Sequence, residues 1–69
     1  MTEIQLLVNG AARTIAAPAT LEDLLTSLQL DARLVVVELN REIVRRPQLG
    51  HVQLESGDSV ELVHFVGGG

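Results

Sequence analysis

Ile4, Leu6 and Val8 alternate with Gln5 and Leu7. A period of two over a short run predicts a half-buried strand. Asn9-Gly10 follows at once, and both residues tolerate positive φ, so a tight hairpin is expected there. The returning strand runs over residues 11–16. A two-residue turn puts Ile15 opposite Ile4, two apolar residues on one face. It also puts Arg13 opposite Leu6, which leaves two readings open: Arg13 snorkels at the sheet edge, or the loop carries a bulge. Pro18 ends the strand. Thr20 has the character of a helix N-cap, with Glu22 and Asp23 in the first turn to suit the positive end of the helix dipole. Leu21, Leu24, Leu25 and Leu28 recur at helical spacing, and the helix is expected to stop near Gln29. Residues 30–33 connect it to a β-branched run, residues 34–39, that reads as a covered strand. Asn40 marks a turn and Glu42–Val44 a short return. Pro47 and Gly50 break the chain, leaving an irregular stretch to Leu54. Ser56-Gly57-Asp58 is another turn. Residues 59–66 form the last strand, before Gly67-Gly68-Gly69.

The predicted order is strand, strand, helix, strand, short strand, strand. One amphipathic helix covers one face of a four- to five-stranded mixed sheet, an α+β fold. That arrangement buries Ile4, Leu6, Val8, Ile15, the leucine stripe, Val35, Val37, Leu39, Val60 and Leu62. A single domain over residues 1–66 and a flexible glycine tail over 67–69 are expected, with no internal repeat.

Composition narrows the chemistry. The chain has 69 residues, five basic (all arginine) and nine acidic, for a net charge of −4. It contains no cysteine, tryptophan or tyrosine, and Phe65 is its one phenylalanine. Without cysteine there is no disulfide, no thiolate nucleophile and no Cys-based metal site. The absence fits a reducing cytoplasm. An acidic chain with one aromatic lacks the basic face and stacking rings that nucleic acid requires. No apolar run approaches the roughly 20 residues of a bilayer span, and the start lacks the basic stretch of a signal peptide. His51 and His64 match no common metal spacing. The scattered carboxylates suggest no catalytic pair, and no phosphate-binding loop is present.

The end of the chain is the candidate site. Glycine has no Cβ, so Gly67 and Gly68 let another protein's backbone approach closely, and nothing crowds the carbonyl carbon of Gly69. A frayed end is the plain alternative. A carboxylate is a poor electrophile, so its use as a reactive group requires activation from outside by an ATP-using partner. If Val60 and Leu62 face the core, Val63 and Phe65 face outward, as do Leu7 and Val36. With the first and last strands as neighbours, these four would make an apolar docking patch beside the tail.

These elements resemble the ubiquitin-like β-grasp sulfur carriers, and among them the ThiS family of thiamine biosynthesis. The resemblance rests on Val8-Asn9-Gly10, on Thr20-Leu21 with Leu24-Leu25, and on the run from Val35 to Val44. The Gly57-Asp58 turn with Val60-Glu61, and the terminal glycines, complete it. One departure is Gly67, where many members carry another small residue. The resemblance implies that a ubiquitin-activating-like adenylyltransferase adenylates the Gly69 carboxylate with Mg-ATP. Sulfur from a cysteine desulfurase or other donor would then displace AMP, and the thiocarboxylate would serve thiazole synthase. The chain itself would be a carrier, not an enzyme, with no bound cofactor. A molybdopterin synthase small subunit is the nearest alternative. A protein modifier and a plain binding module with an inert tail are the others.

Overall fold

The computed structural model describes residues 2–65. The elements run β1 (Thr2–Val8), β2 (Ala11–Ala17), α1 (Leu21–Ser27), a 3-10 turn (Ala32–Leu34), β3 (Val35–Leu39), β4 (Glu42–Val44), a second 3-10 segment (Arg46–His51) and β5 (Ser59–His64). The five strands form one sheet in the order β2-β1-β5-β3-β4. β1 and β5 are parallel; every other pair is antiparallel.

Two tight turns set this register. Asn9 and Gly10 have φ of 52° and 81°, and Asn40 and Arg41 have 50° and 72°. Two successive positive-φ residues make the turn whose twist matches the flanking strands. Arg41 lacks the local hydrogen-bonding habit of asparagine and occupies that region at a cost on the order of 1 kcal/mol. Neighbouring bonds secure the turn: the Asn40 N–H donates to the Ser59 carbonyl (2.8 Å), and the Ser59 N–H donates to Asn40 Oδ1 (3.0 Å). Asn9 grips β5 in the same way. The Leu62 N–H donates to Asn9 Oδ1 (2.7 Å), and Asn9 Nδ2 donates to the Leu62 carbonyl (3.2 Å). An asparagine amide offers one donor and one acceptor side by side, as a strand backbone does.

The first hairpin settles the position of Arg13. Pairing runs without interruption from Val8↔Ala11 to Thr2↔Ala17, with Ile4 opposite Ile15 and Leu6 opposite Arg13. No bulge is present in this hairpin, and Arg13 is exposed. β2 is an edge strand, so a long side chain there reaches water from the core-facing side.

Helix α1 begins as the sequence predicts. The Asp23 N–H donates to Thr20 Oγ1 (3.1 Å), and the Thr20 N–H donates to Asp23 Oδ2 (2.9 Å). This reciprocal box satisfies two otherwise unpaired donors. The helix ends at Ser27, earlier than expected. Gln29 turns to a φ of 59°, and the Leu30 N–H donates back to the Leu25 carbonyl (2.9 Å), which closes the last turn.

The core contains Ile4, Leu6, Val8, Leu21, Leu24, Leu25, Val35, Val37 and Val60, with Ile15, Leu28, Leu39 and Leu62 packed around it. Ala19, Leu49 and Leu54 are also buried, and sequence reading missed them. They sit in irregular backbone that covers one flank of the helix, where neither period two nor period 3.6 applies. Two boundaries differ from expectation. Leu34 belongs to the 3-10 turn and not to β3, and β5 ends at His64. The ladder continues one bond further, from the Phe65 N–H to the Leu34 carbonyl (2.7 Å).

Candidate docking face and chain end

One face of the sheet is sealed by α1 and the other is open. Strand alternation puts Val63 on the open face of β5, and the register sets it directly opposite Val36 of β3. Val63 is 57% exposed and Phe65, two residues on, is 53% exposed. Ile43 joins them. It pairs with Glu38, which places it diagonally beside Val36, and at 67% it is the most exposed large apolar residue of the described chain. Leu34, also exposed, lies against Phe65 through the backbone bond just described.

The patch therefore contains Val36, Val63 and Phe65 as the alternation predicts, and Ile43 and Leu34 in addition. Ile43 was legible in principle. Asn40-Arg41 as a two-residue turn forces the pair Glu38–Ile43, and Glu38 shares a face with Val36. Leu7 is placed differently. It is outward and exposed, but its β5 neighbour is Ser59. Four residues along β5 separate Ser59 from Val63, about 13 Å at strand rise. Leu7 instead borders a separate hollow with Gln5, Thr14, Ser56 and Gly57. The expected continuous patch of Leu7, Val36, Val63 and Phe65 is thus divided, because β1 runs parallel to β5 and meets only its first half.

Beside the patch, Arg33 is held by Asp31 through Nη2 to Oδ2 (2.7 Å) and Nε to Oδ1 (3.0 Å). These hydrogen bonds, first from the guanidinium and then from the Arg33 backbone N–H, lower the Asp31 pKa from 3.8 to about 2. The pair is exposed, so it orients Arg33 more than it stabilises the fold. Among the described residues no three His, Asp or Glu side chains gather to hold a metal ion. No helix of the described residues is long and apolar enough to cross a membrane. Gly67, Gly68 and Gly69, with Val66, lie outside the described residues.

A single helix laid across a five-stranded mixed sheet, with the first and last strands parallel at its centre, defines the chain as a small protein of the ubiquitin-like β-grasp class. Comparison with known proteins gives the family. The chain belongs to the ThiS family, whose profile matches residues 6–69. It is 48% identical over 50 residues to the sulfur carrier protein ThiS of Bacillus subtilis, covering 72% of this chain and 76% of that protein. The crystal structure of the thiamine biosynthesis protein ThiS from Geobacter metallireducens superposes with a TM-score of 0.81. It is 36% identical and covers 96% of this chain and all of that one. A thiazole synthase of Paramagnetospirillum magneticum is 42% identical over 66 residues. That match takes in 96% of this chain but only 20% of the synthase, so the chain spans about a fifth of that relative's length.

Proposed function

We propose that this chain, a sulfur carrier of thiamine biosynthesis by family, carries its sulfur as a thiocarboxylate on Gly69. The observation that carries the reading is the family match, which runs through the glycines to Gly69. The chemistry follows from the end group. The Gly69 carboxylate attacks the α-phosphorus of Mg-ATP on an adenylating partner, and pyrophosphate leaves. The terminal sulfur of a persulfide on a cysteine desulfurase, or on another donor, then attacks the acyl carbon and AMP leaves. A thiol reductant cleaves the resulting acyl disulfide, which frees the thiocarboxylate and takes up the donor cysteine as a disulfide. The carrier needs no thiol of its own, which agrees with a chain that has no cysteine. Gly68 and Gly67 give clearance in a narrow channel. The chain holds no cofactor and performs no catalysis; ATP and magnesium belong to its partner, in the cytoplasm.

Thiazole synthase is the acceptor in this reading. Support comes from two thiazole synthases, of Paramagnetospirillum magneticum and Magnetococcus marinus, each similar to this chain over about a fifth of its length. A carrier-like segment inside a synthase polypeptide meets its acceptor at high effective concentration, an advantage only if the two work together. Val36, Val63 and Phe65 form the docking patch, and Leu7 contacts a partner only where that partner extends across the sheet.

The test is an intact mass. Incubation with the adenylating enzyme, Mg-ATP, a cysteine desulfurase, cysteine and a thiol reductant gives a gain equal to the mass difference between sulfur and oxygen. A ladder of conjugates to other proteins would instead indicate a modifier, and an unchanged mass with an active enzyme would indicate an inert tail.

Phe65→Ala separates docking from folding. Because the ring is half in water, its loss costs less than about 1 kcal/mol in urea unfolding. Affinity for the adenylating enzyme falls about tenfold, as expected for an aromatic anchor. A stability loss above about 3 kcal/mol would make Phe65 a core residue and remove it from the patch.

A further inference from the structure

The charge of this chain is unevenly placed. Four of the five arginines lie between residues 33 and 46, against two glutamates. That stretch carries +2 and the remainder −6. Three of those arginines, Arg33, Arg45 and Arg46, line one hollow of about 380 Å³ together with Val36 and Ile43 of the apolar patch. Arg33 is paired with Asp31, whose carboxylate also feels the charge of Arg46; among the described residues that is the only ion pair, so Arg45 and Arg46 are in none.

The register places this hollow at the end of the sheet where β5 finishes. β3 pairs Val36 with Val63, and Val37 with Val44. Extending the second ladder by one residue brings Arg45 level with Val36 and Val63. Neighbouring strands are about 4.8 Å apart, so Arg45 starts about 10 Å from Val63 across the sheet. Phe65 follows Val63 on the same side.

We propose that Arg33, Arg45 and Arg46 form a docking rim for carboxylates on the surface of the adenylating partner. The rim deepens the carrier reading and rests on it. A chain of net charge −4 is repelled by an acidic surface in most orientations. Only the arginine side is attracted, and that side is the one beside the last residues of β5 and Phe65. The rim therefore selects the encounters that present Gly69 to the nucleotide. The nucleotide itself is out of its reach. Gly69 is four positions beyond Phe65 in the sequence, a span of at most about 14 Å for an extended chain. Arginines set to one side of the patch meet the protein surface around the channel, not the phosphates at its end.

The experiment measures association of the full chain with its adenylating enzyme by stopped flow, alongside ATP–pyrophosphate exchange. R45E and R13E change the net charge equally, but Arg13 lies on β2 at the opposite edge of the sheet. At about 50 mM salt R45E slows association about tenfold, R45E/R46E slows it further, and R13E has little effect. The differences fade by about 0.5 M salt, where the screening length falls to a few ångströms. Exchange at saturating carrier stays unchanged. Arg45 makes no side-chain cap to the 3-10 segment it precedes, so these variants keep the wild-type thermal unfolding, and R45Q/R46Q gives about half the effect. Equal slowing by R13E overturns the rim in favour of bulk charge. Loss of exchange at saturation overturns it in favour of a nucleotide contact. No exchange with the wild-type chain overturns the carrier reading and the rim with it, whereas exchange and association indifferent to R45E/R46E overturn the rim alone.

Discussion

Removal of Gly69 lowers thiocarboxylate formation at least about a hundredfold and leaves thermal unfolding unchanged. The variant is informative because Gly68 then ends the chain, so the new terminus is again an unhindered glycine carboxylate. What changes is reach, by about 3.4 Å, one residue of extended chain. In-line attack on phosphorus needs the reacting atoms within about 3.5 Å, and a misplacement of about 1 Å already costs about a hundredfold. The described body, which α1 covers and whose last bond runs from the Phe65 N–H to the Leu34 carbonyl, keeps all its contacts in this variant. Intact mass after activation and a melting curve read the two halves of the prediction. Full sulfur loading of the shortened chain would show that the partner tolerates a displaced carboxylate. A lowered melting temperature would show that the chain end is part of the fold.

Leu24→Ala is the second large effect, on stability. Leu24 is buried near the middle of α1, against the covered face of the sheet. A helix of 7 residues is far below the length at which a helix is stable in water alone. Its packing therefore holds it, more than its hydrogen bonds do. Truncating a buried leucine costs about 2–5 kcal/mol. A domain of this size has on the order of 3–10 kcal/mol in total. Urea unfolding will show a loss of at least about 2 kcal/mol. A loss under about 1 kcal/mol would mean that the neighbouring leucines close the gap, and that α1 is not the single cover of the sheet.

Strand and helix identities were readable wherever one periodicity governs. Ile4, Leu6 and Val8 alternate because one face of β1 meets the core. Thr20 with Asp23 marks a helix start because a short polar side chain and an acid suit the free N–H groups. The partner of β5 was not readable from local pattern, since a parallel neighbour is joined by no turn. Leu7 consequently fell on the right face but far from Val63. Leu49 and Leu54 escaped for a related reason: a 3-10 segment, for Leu49, and the irregular backbone after it, for Leu54, bury residues singly, at positions set by the surface they cover. The arginine rim escaped because its members come from two segments, around Arg33 and at Arg45-Arg46, that meet only when β4 folds back along β3. The glycine end was conspicuous from the start, since three consecutive residues there lack side chains.

The place of β5 in the middle of the sheet has a mechanical consequence. An enzyme that draws the terminus into a channel exerts traction along the axis of that strand. Bonds to β1 and β3 lie across the pull and share the load together, so the strand resists shear instead of peeling away one bond at a time. The amides of Asn9 and Asn40 act as two further pins on the same strand. A pull applied beyond Phe65 would therefore meet the combined resistance of both neighbouring strands before β5 left the sheet.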